Sequence, residues 1–172
     1  MVVAGKKKTM AKKINNYVLT VKDIEFVKES NAIEGEYSDL AFLDACRAYE
    51  FAVNNKHKKL GKPGLLGIHY ELLKNIDSRI AGTFRTCDVV VGGRKCIDWR
   101  IVHKELERLL KIVPKNWKQI KEWHIEFEKI HPFQDGNGRV GRIIMNMQRI
   151  NVSLPVLVIH VGEEQQKYYG WF

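Results

Sequence analysis

The chain has 172 residues, of which 45% are hydrophobic and 28% are charged, as in ordinary soluble globular proteins. This length favours one domain with a sizeable core over several small ones. The longest apolar run, residues 152–161, contains Pro155 and is too short to cross a bilayer, so we expect no membrane-spanning segment.

The net charge of +9 is unevenly distributed. Lysines crowd the start of the chain, and we predict a flexible basic leader over residues 1–19 followed by one domain over residues 20–172. No apolar stretch follows these lysines, so a secretory signal peptide is not expected. Basic runs bind nucleic acid in some proteins but are more commonly solvated. A second basic cluster is predicted to lie in a loop and consists of Lys56, Lys58, Lys59 and Lys62.

The cysteines indicate the redox environment. Cys46, Cys87 and Cys96 are odd in number and lack C-x-x-C spacing. We therefore predict a reducing, cytoplasmic setting.

A first helix is predicted from residues suited to its two ends. Thr20 and Asp23 form an N-terminal capping pattern, and Gly35 is suited to a C-terminal cap near Glu34. Ser30 and Glu34 are four positions apart, so they lie on one face of this helix.

Two further helices follow. Ser38 is expected to cap a helix over residues 39–53, and a third helix is predicted over residues 65–78. His69 on the third helix, and His124 further along, are interpreted as satisfied core or boundary histidines. The second helix is predicted to point four side chains inward: Leu40, Leu43, Cys46 and Tyr49.

A β-hairpin is predicted between the helices. Val89, Val90 and Val91 form a β-branched run closed by two glycines, which is a strong hairpin signal. With those glycines as the turn, Val91 faces Arg94. A lone hairpin is not stable in water, so it must pack against the helical body.

Two helices flank the most informative loop of the chain. Asn116 and Gln119 resemble a capping box for a helix that ends at about His131, because Pro132 disfavours helical backbone in the residue before it. Apolar residues at helical spacing predict the next helix from about Arg139.

The loop between them reads HPFQDGNGRVGR over residues 131–142. It leads onto a helix N-terminus, where free amides carry roughly half a unit of positive charge and suit phosphate. Arg139 and Arg142 lie on neighbouring turns and can reach further phosphate oxygens. Asp135 is suited to Mg2+, and His131 is suited to act as a general base.

This string matches the motif HxFx(D/E)GNGRxxR at every fixed position, so the chain resembles the Fic family. The resemblance implies a mainly α fold, a compact helical bundle with a small β-hairpin flap over the active site. It also implies a protein adenylyltransferase that uses ATP and Mg2+ to transfer AMP to a Ser, Thr or Tyr hydroxyl of a target protein.

The resemblance assigns roles by position. His131 deprotonates the target hydroxyl, Asp135 ligates the metal, and Phe133 packs inward to fix the loop. Family members that transfer phosphate instead have lysine at the position of Gly138, so Gly138 argues against that variant. The ATP-binding role falls on Gly136, Asn137, Gly138, Arg139 and Arg142.

A second string, SNAIEG at residues 30–35, resembles the family's inhibitory motif, (S/T)xxxE(G/N). The resemblance implies that Glu34, together with Ser30, holds Arg142 away from the γ-phosphate. The enzyme would then be autoinhibited by a segment N-terminal to its catalytic motif.

Two weaker resemblances concern the target and the adenine. The hairpin at Val89, Val90 and Val91 resembles the flap that pairs with the target's backbone. Tyr168 and Tyr169 resemble the segment that packs beside adenine, with ordinary core or surface aromatics as the alternative.

Two other functions are carried as alternatives. One is a hydrolase that removes AMP from a modified target at the same site, and the other is a basic nucleic-acid-binding module. For the preferred function we expect ATP and a target protein as partners, without membrane or nucleic acid, and the oligomeric state is left open.

Overall fold

The computed structural model describes residues 17–172, and most of the predicted basic leader lies outside that range. Tyr17 and Leu19 pack against the core. The mainly helical architecture confirms the predicted helical bundle with a small hairpin. In chain order, the elements are α1 (Val21–Ile33), α2 (Asp39–Asn54), α3 (Lys62–Leu73), β1 (Val90–Val91), β2 (Arg94–Lys95), a 3-10 turn (Trp99–Ile101), α4 (Val102–Leu109), α5 (Trp117–Ile130), α6 (Asn137–Asn151) and α7 (Glu163–Tyr169).

Local capping residues set the helix ends where the sequence predicts them. The Thr20 hydroxyl accepts from the Asp23 amide while the Asp23 carboxylate accepts from the Thr20 amide. Ser38 and Asn116 each accept from the amide three positions further on. Gly35, just after α1, has a φ of +71°, a left-handed conformation that glycine adopts without strain.

α3 differs from its prediction at both ends. It begins at Lys62 because Pro63 sits in the first turn, where its missing amide has no helical partner to lose. It ends at Leu73, whose carbonyl accepts from the amides of Ile76 and Asp77 at 2.9 and 2.8 Å and so closes the helix in a turn. The prediction over residues 65–78 is therefore displaced towards the C-terminus.

The buried face of α2 consists largely of alanines, whereas the sequence analysis predicted buried leucines. Leu40 and Leu43 are 45% and 49% exposed, so that part of the prediction is wrong, whereas Tyr49 is buried as expected. Short side chains let α2 pack against both α3 and α6. The buried face carries Ala41, Ala45, Ala48 and Ala52.

α6 is the central helix of the bundle. It contacts α1, α2, α3 and α5, and even its polar residues Arg142 and Asn146 are buried. α1 lies across α2 and α6. The loop that precedes α6 is consequently held between packed helices, which gives its side chains fixed positions.

The hairpin pairs as the sequence predicts. β1 and β2 are antiparallel, with Val91 opposite Arg94 and Val90 opposite Lys95. The Cys96 amide also donates to the Val89 carbonyl at 3.0 Å, which extends the pairing by one position.

The structure bears on the predictions about membrane spans, cysteine oxidation and the second basic cluster. No helix within residues 17–172 combines the length and apolar character needed to cross a membrane. Cys46, Cys87 and Cys96 are free thiols, and the cytoplasmic location stays a prediction. In the second basic cluster, Lys62 pairs with Glu107 at 2.6 Å, and nucleic-acid binding by this cluster is untested.

Candidate active site

His131 stands at the junction of α5 and the loop. It ends the helix in a left-handed conformation, with φ of 49° and ψ of 64°, which is uncommon for a residue with a side chain. Its Nδ1 lies 3.2 Å from the Glu128 carbonyl, so Nδ1 carries the proton and Nε2 has a free lone pair. Burial lowers the pKa of His131 below its usual value. A neutral imidazole with an available Nε2 is suited to accept a proton.

The loop after His131 is clamped by an amide side chain. Asn137 Oδ1 accepts from the Phe133 amide at 2.8 Å, and Asn137 Nδ2 donates to the Phe133 carbonyl at 2.9 Å. The Phe133 ring is fully buried and stacks on the His69 ring at a centroid distance of 3.8 Å. Both polar groups of the Asn137 side chain therefore hold the loop, and its backbone amide lies at the start of α6.

His69 supports the same loop from α3. Its Nε2 donates to the Asp135 carbonyl at 3.1 Å, and its Nδ1 accepts from the Gly82 amide at 3.0 Å. Burial lowers the pKa of His69 to about 4, so the ring stays neutral and keeps both bonds near neutral pH. The structure therefore agrees with the interpretation of His69 as a satisfied core histidine.

The N-terminus of α6 has the backbone geometry that suits an anion. Gly136 precedes the helix with φ of +77°, and the first-turn amides have no helical partner. A carboxylate already approaches this position, because Glu34 Oε1 and Arg142 Nη1 lie where a side chain at Gly138 would project. Gly138 is thus needed for close approach of a charged group to the start of α6.

Arg142 is held by the end of α1. Its Nε donates to the Ser30 hydroxyl at 2.9 Å, and its Nη2 donates to the Ser30 carbonyl at 2.9 Å and to Glu34 Oε1 at 2.7 Å. The guanidinium is 2% exposed. Arg142 lies more than a hundred positions from Ser30 and Glu34 in the chain. Ser30 and Arg142 are buried, while the Glu34 side chain is 39% exposed at the edge of the contact.

Arg139 lies under α1 as well. Its guanidinium is buried, with Nη2 3.6 Å from Asp135 Oδ2, while Nε and Nη1 have no hydrogen-bond partner. The side-chain amide of Asn31 on α1 is buried nearby and likewise unpartnered. α1 therefore covers both arginines that the sequence assigns to phosphate binding.

Asp135 is the acidic residue of the loop. Its side chain is 65% exposed, and Oδ1 accepts from the Gly136 amide at 2.6 Å. Mg2+ commonly takes one or two carboxylates together with substrate phosphates and water, and a single exposed carboxylate beside a phosphate site fits that mode. Within residues 17–172, no cluster of three or more His, Cys, Asp or Glu side chains could hold a metal by itself.

The two tyrosines of α7 have different environments. Tyr168 is 3% exposed, and its hydroxyl lies 2.9 Å from His124 Nε2 and 3.5 Å from Arg142 Nη1. Tyr169 is 44% exposed. Tyr168 consequently packs behind Arg142 inside the bundle, and only the Tyr169 ring offers a surface of any size to a ligand.

Arg85 is a site residue that the sequence analysis missed. Its buried guanidinium donates to the carbonyls of His131, Cys87 and Ile97 at 2.7, 2.8 and 2.6 Å. Its own amide donates to the Pro132 carbonyl at 3.0 Å. Arg85 thus ties both arms of the hairpin to the loop beside His131. No periodicity or motif marks this arginine, since its partners are carbonyls from distant segments.

The hairpin presents exposed valines at the surface. Val90 and Val91 are 66% and 47% exposed, and Val89 is half-buried. Together with the Arg85 contacts, this places an exposed strand in a segment fixed to the loop that begins at His131.

These features define a helical protein that places a buried histidine with a free Nε2 at one end of a loop and the unpaired amides of a helix N-terminus at the other. Residues 59–148, just over half of the chain, match the model of the Fic/DOC family. The chain belongs to the Fic/DOC family.

Curated relatives carry the same family name. The chain is 28% identical over 153 residues to protein adenylyltransferase fic-1 of Caenorhabditis elegans and 30% identical over 149 residues to protein adenylyltransferase Fic of Aedes aegypti. The alignments cover 84% and 79% of this chain but only 28% and 29% of those relatives. The chain therefore spans less than a third of the length of the curated relatives it matches.

Solved structures agree in fold. Fic-1 (residues 134–508) from Caenorhabditis elegans superposes with a TM-score of 0.73 at 20% identity, covering 86% of this chain and 53% of that one. A Fic domain containing signaling protein from Bacteroides thetaiotaomicron gives a TM-score of 0.72 at 20% identity, covering 86% and 69% of the two chains. At this identity the similarity establishes the fold.

Proposed function

We propose that this chain is a protein adenylyltransferase that transfers AMP from ATP to a Ser, Thr or Tyr hydroxyl of a target protein. The observation that carries the proposal is the position of His131, whose free Nε2 lies one short loop away from the anion-binding start of α6. The names of the curated relatives support the same reaction.

The reaction is an in-line displacement at the α-phosphorus. The target hydroxyl loses its proton to His131 Nε2 as its oxygen bonds to phosphorus, and the bond from the α-phosphorus to the bridging oxygen breaks, releasing pyrophosphate. A positioned general base contributes about a hundred- to ten-thousandfold to such a step. Fixed amides and positive charges aimed at the phosphates contribute the larger part.

Binding of the triphosphate falls to α6 and its preceding loop. The amides of Asn137 and Gly138 would face the phosphates beside Gly136, whose own amide donates to Asp135 Oδ1. Arg139 and Arg142 extend along the next turns of α6. Asp135 would hold Mg2+, which neutralises charge on the phosphates during transfer. We assign the adenine contact to Tyr169, because Tyr168 is buried behind Arg142.

Glu34 and Ser30 are the inhibitory residues of this proposal. Glu34 bonds to Arg142 and lies against Gly138 at the start of α6, so its carboxylate competes with a phosphate for both the guanidinium and the helix end. With Arg142 held, the outer phosphates lose a charge-assisted partner. ATP then binds in a position that is unproductive for transfer.

The target is proposed to dock on the hairpin. An extended target segment can add a strand beside Val89, Val90 and Val91 through backbone hydrogen bonds. Arg85 fixes that hairpin to the carbonyl of His131, so a docked hydroxyl is presented near the imidazole.

The test uses ATP labelled on the α-phosphate and a cell lysate as the source of target. In a Glu34→Gly background, we expect a labelled protein band that disappears with His131→Ala while ATP binding, measured by calorimetry, persists. His57→Ala, which changes an exposed histidine outside the site, is the matched control and should label normally. Undiminished labelling by His131→Ala rejects the general-base assignment. Label that appears only from γ-labelled ATP replaces AMP transfer with phosphate transfer.

A hydrolytic reaction at the same site is the second candidate. It is favoured by the Glu34 carboxylate, which lies beside the start of α6 and can orient a water towards a bound AMP group. Pre-labelled target incubated with protein and Mg2+, without ATP, should lose its label, and Glu34→Gln should stop that loss. Stable label in both samples leaves adenylyl transfer as the function.

A further inference from the structure

Glu128 is a nearly buried carboxylate that neither the family motif nor the chemistry above uses. It lies one turn before His131 on α5, and its side chain is 13% exposed. Its backbone carbonyl accepts from His131 Nδ1, and its Oε2 lies 3.8 Å from the same nitrogen. Its Oε1 is buried without a hydrogen-bond partner, 3.9 Å from His124 Nε2. A buried carboxylate that lacks bonds is costly to keep, so its presence calls for an explanation.

Gly141 makes room for this carboxylate. A Cβ at position 141 would run into Glu128 Oε1 and would lie 2.9 Å from His124 Cε1. The motif HxFx(D/E)GNGRxxR leaves this position open, so phosphate binding does not account for the glycine. The close approach of α5 and α6 at Gly141 accommodates Glu128 behind the imidazole.

We propose that Glu128 is a positioning residue that orients the imidazole of His131 and stabilises the imidazolium formed when Nε2 takes the hydroxyl proton. The proposal rests on the adenylyl-transfer function proposed above. The negative charge faces Nδ1, on the side of the ring opposite to Nε2, so it favours the protonated ring without blocking the nitrogen that reacts. A carboxylate within about 4–6 Å raises the proton affinity of an imidazole.

The surrounding charges decide when Glu128 can act. From α6, Arg142 faces it; from the end of α1, Glu34 faces it. Burial raises the pKa of Glu128 to about 7, against the lowering effect of Arg142. The other titratable groups around it are His124, His131, Tyr168 and Cys96.

Two of these neighbours, His124 and Tyr168, stay neutral and so form no ion pair with the Glu128 carboxylate. Burial lowers the pKa of His124 to about 3, so that ring stays neutral. Burial raises the pKa of Tyr168, so its phenol also stays neutral. Among the histidines facing Glu128, His131 is therefore the one that becomes charged during the reaction.

A pH profile follows from this arrangement. Transfer needs neutral His131 and ionised Glu128, so the acid limb of kcat in the parent protein reflects the higher of the two pKa values, that of Glu128. In Glu128→Gln, the acid limb of kcat should move to lower pH, because only His131 then titrates and burial lowers its pKa.

The experiment compares Glu128→Gln with Glu126→Gln in the Glu34→Gly background. Glu126 lies on the same helix but is 55% exposed and pairs with Lys129, so its variant controls for loss of a charge from α5. We expect Glu128→Gln to lower kcat about ten- to hundredfold with little change in KM for ATP, and to shift the acid limb. An unchanged kcat and an unchanged limb overturn the proposal.

An NMR titration of the His131 ring tests the same contact without relying on catalysis. In the parent, the ring signals of His131 should show a step near pH 7, where Glu128 takes up its proton. Glu128→Gln should lose that step, while Glu126→Gln keeps it. If the Glu34→Gly parent transfers no AMP, the proposed function fails, and this titration still decides whether Glu128 acts on the imidazole. A step near pH 7 that persists in folded Glu128→Gln, or that is missing from the parent, refutes the proposal, with folding checked by circular dichroism.

Discussion

Glu34 and Arg142 meet at 2.7 Å although 108 positions separate them in the chain. The contact joins the C-terminal end of α1 to the middle of the bundle, and Ser30 adds two more bonds to the same guanidinium. Arg142 has little freedom while these bonds persist. The proposed resting state therefore depends on contacts between helices, and the end of α1 with its cap residue supplies the bonds from Ser30 and Glu34.

Replacing Glu34 with glycine should release Arg142 and raise AMP transfer. Hydrogen bonds to charged groups contribute about 1.5–3 kcal/mol, and each 1.4 kcal/mol corresponds to about a tenfold change, so we expect a rise of about ten- to a hundredfold. The measurement is the initial rate of label transfer from α-labelled ATP. Glu36→Gly, which removes a neighbouring carboxylate that bonds to the Ser38 amide, should leave the rate near that of the unmodified protein. Equal rates for all three proteins would exclude an inhibitory role for Glu34.

Replacing Arg85 with lysine should destabilise the protein and slow transfer. Lysine cannot reproduce the planar fork that reaches three separate carbonyls, which leaves buried acceptors without partners. We expect a loss of about 2 kcal/mol or more in the free energy of unfolding, measured by urea denaturation. Arg79→Lys changes an exposed arginine that pairs with Asp77 and should cost much less. Equal stability of the two variants would contradict the structural role of Arg85.

Replacing Asp135 with asparagine should weaken the response to Mg2+. The carboxylate is exposed beside the phosphate site, and removing its charge lowers affinity for a hard cation. In the Glu34→Gly background, half-maximal transfer should need about tenfold more Mg2+, while ATP binding measured without metal stays the same. Asp77→Asn, which changes a partly buried aspartate paired with Arg79 away from the loop, is the control, and chelation of Mg2+ should abolish transfer in every variant. An unchanged Mg2+ requirement would remove Asp135 from the metal site.

Stability should fall as the solution becomes acidic below about pH 6.5. Burial lowers the pKa of His69 to about 4 and that of His124 to about 3, so the folded state binds both protons less readily than the unfolded chain. Each histidine then contributes stability that is present above about pH 6.5 and is lost as pH falls towards its folded pKa. Unfolding by urea at several pH values should show this loss, amounting to about 2–3 kcal/mol per histidine. A free energy of unfolding that stays constant between about pH 6.5 and pH 4 would contradict the buried neutral rings.

The sequence predicts the parts of the site that depend on neighbours along the chain. The helix ends at Thr20, Ser38 and Asn116 are set by residues three positions away, and the loop at residues 131–142 is a continuous string. Local patterns of this kind are visible without a structure. The hairpin register likewise follows from its two turn glycines.

The remaining features depend on distant contacts and leave no local signal. Arg85 bonds to carbonyls up to 46 positions away. The Glu128 side chain fits at its position because α6 places Gly141 opposite it. The inward face of α2 was mispredicted because alanines, which allow close helix packing, carry less hydrophobic signal than Leu40 and Leu43. Tyr168 and Tyr169 are adjacent in sequence, yet the orientation of α7 buries one and exposes the other.

The Arg85 guanidinium links the hairpin to the loop at His131, which bears on the target side chains that the proposed reaction could reach. Because it bonds to the hairpin and to the carbonyl of His131 at once, the strand edge and the imidazole keep a constant spacing. In the docking mode proposed above, a target strand along β1 would lie at that same spacing from Nε2. Side-chain length would then limit which of the serine, threonine and tyrosine hydroxyls reaches the imidazole.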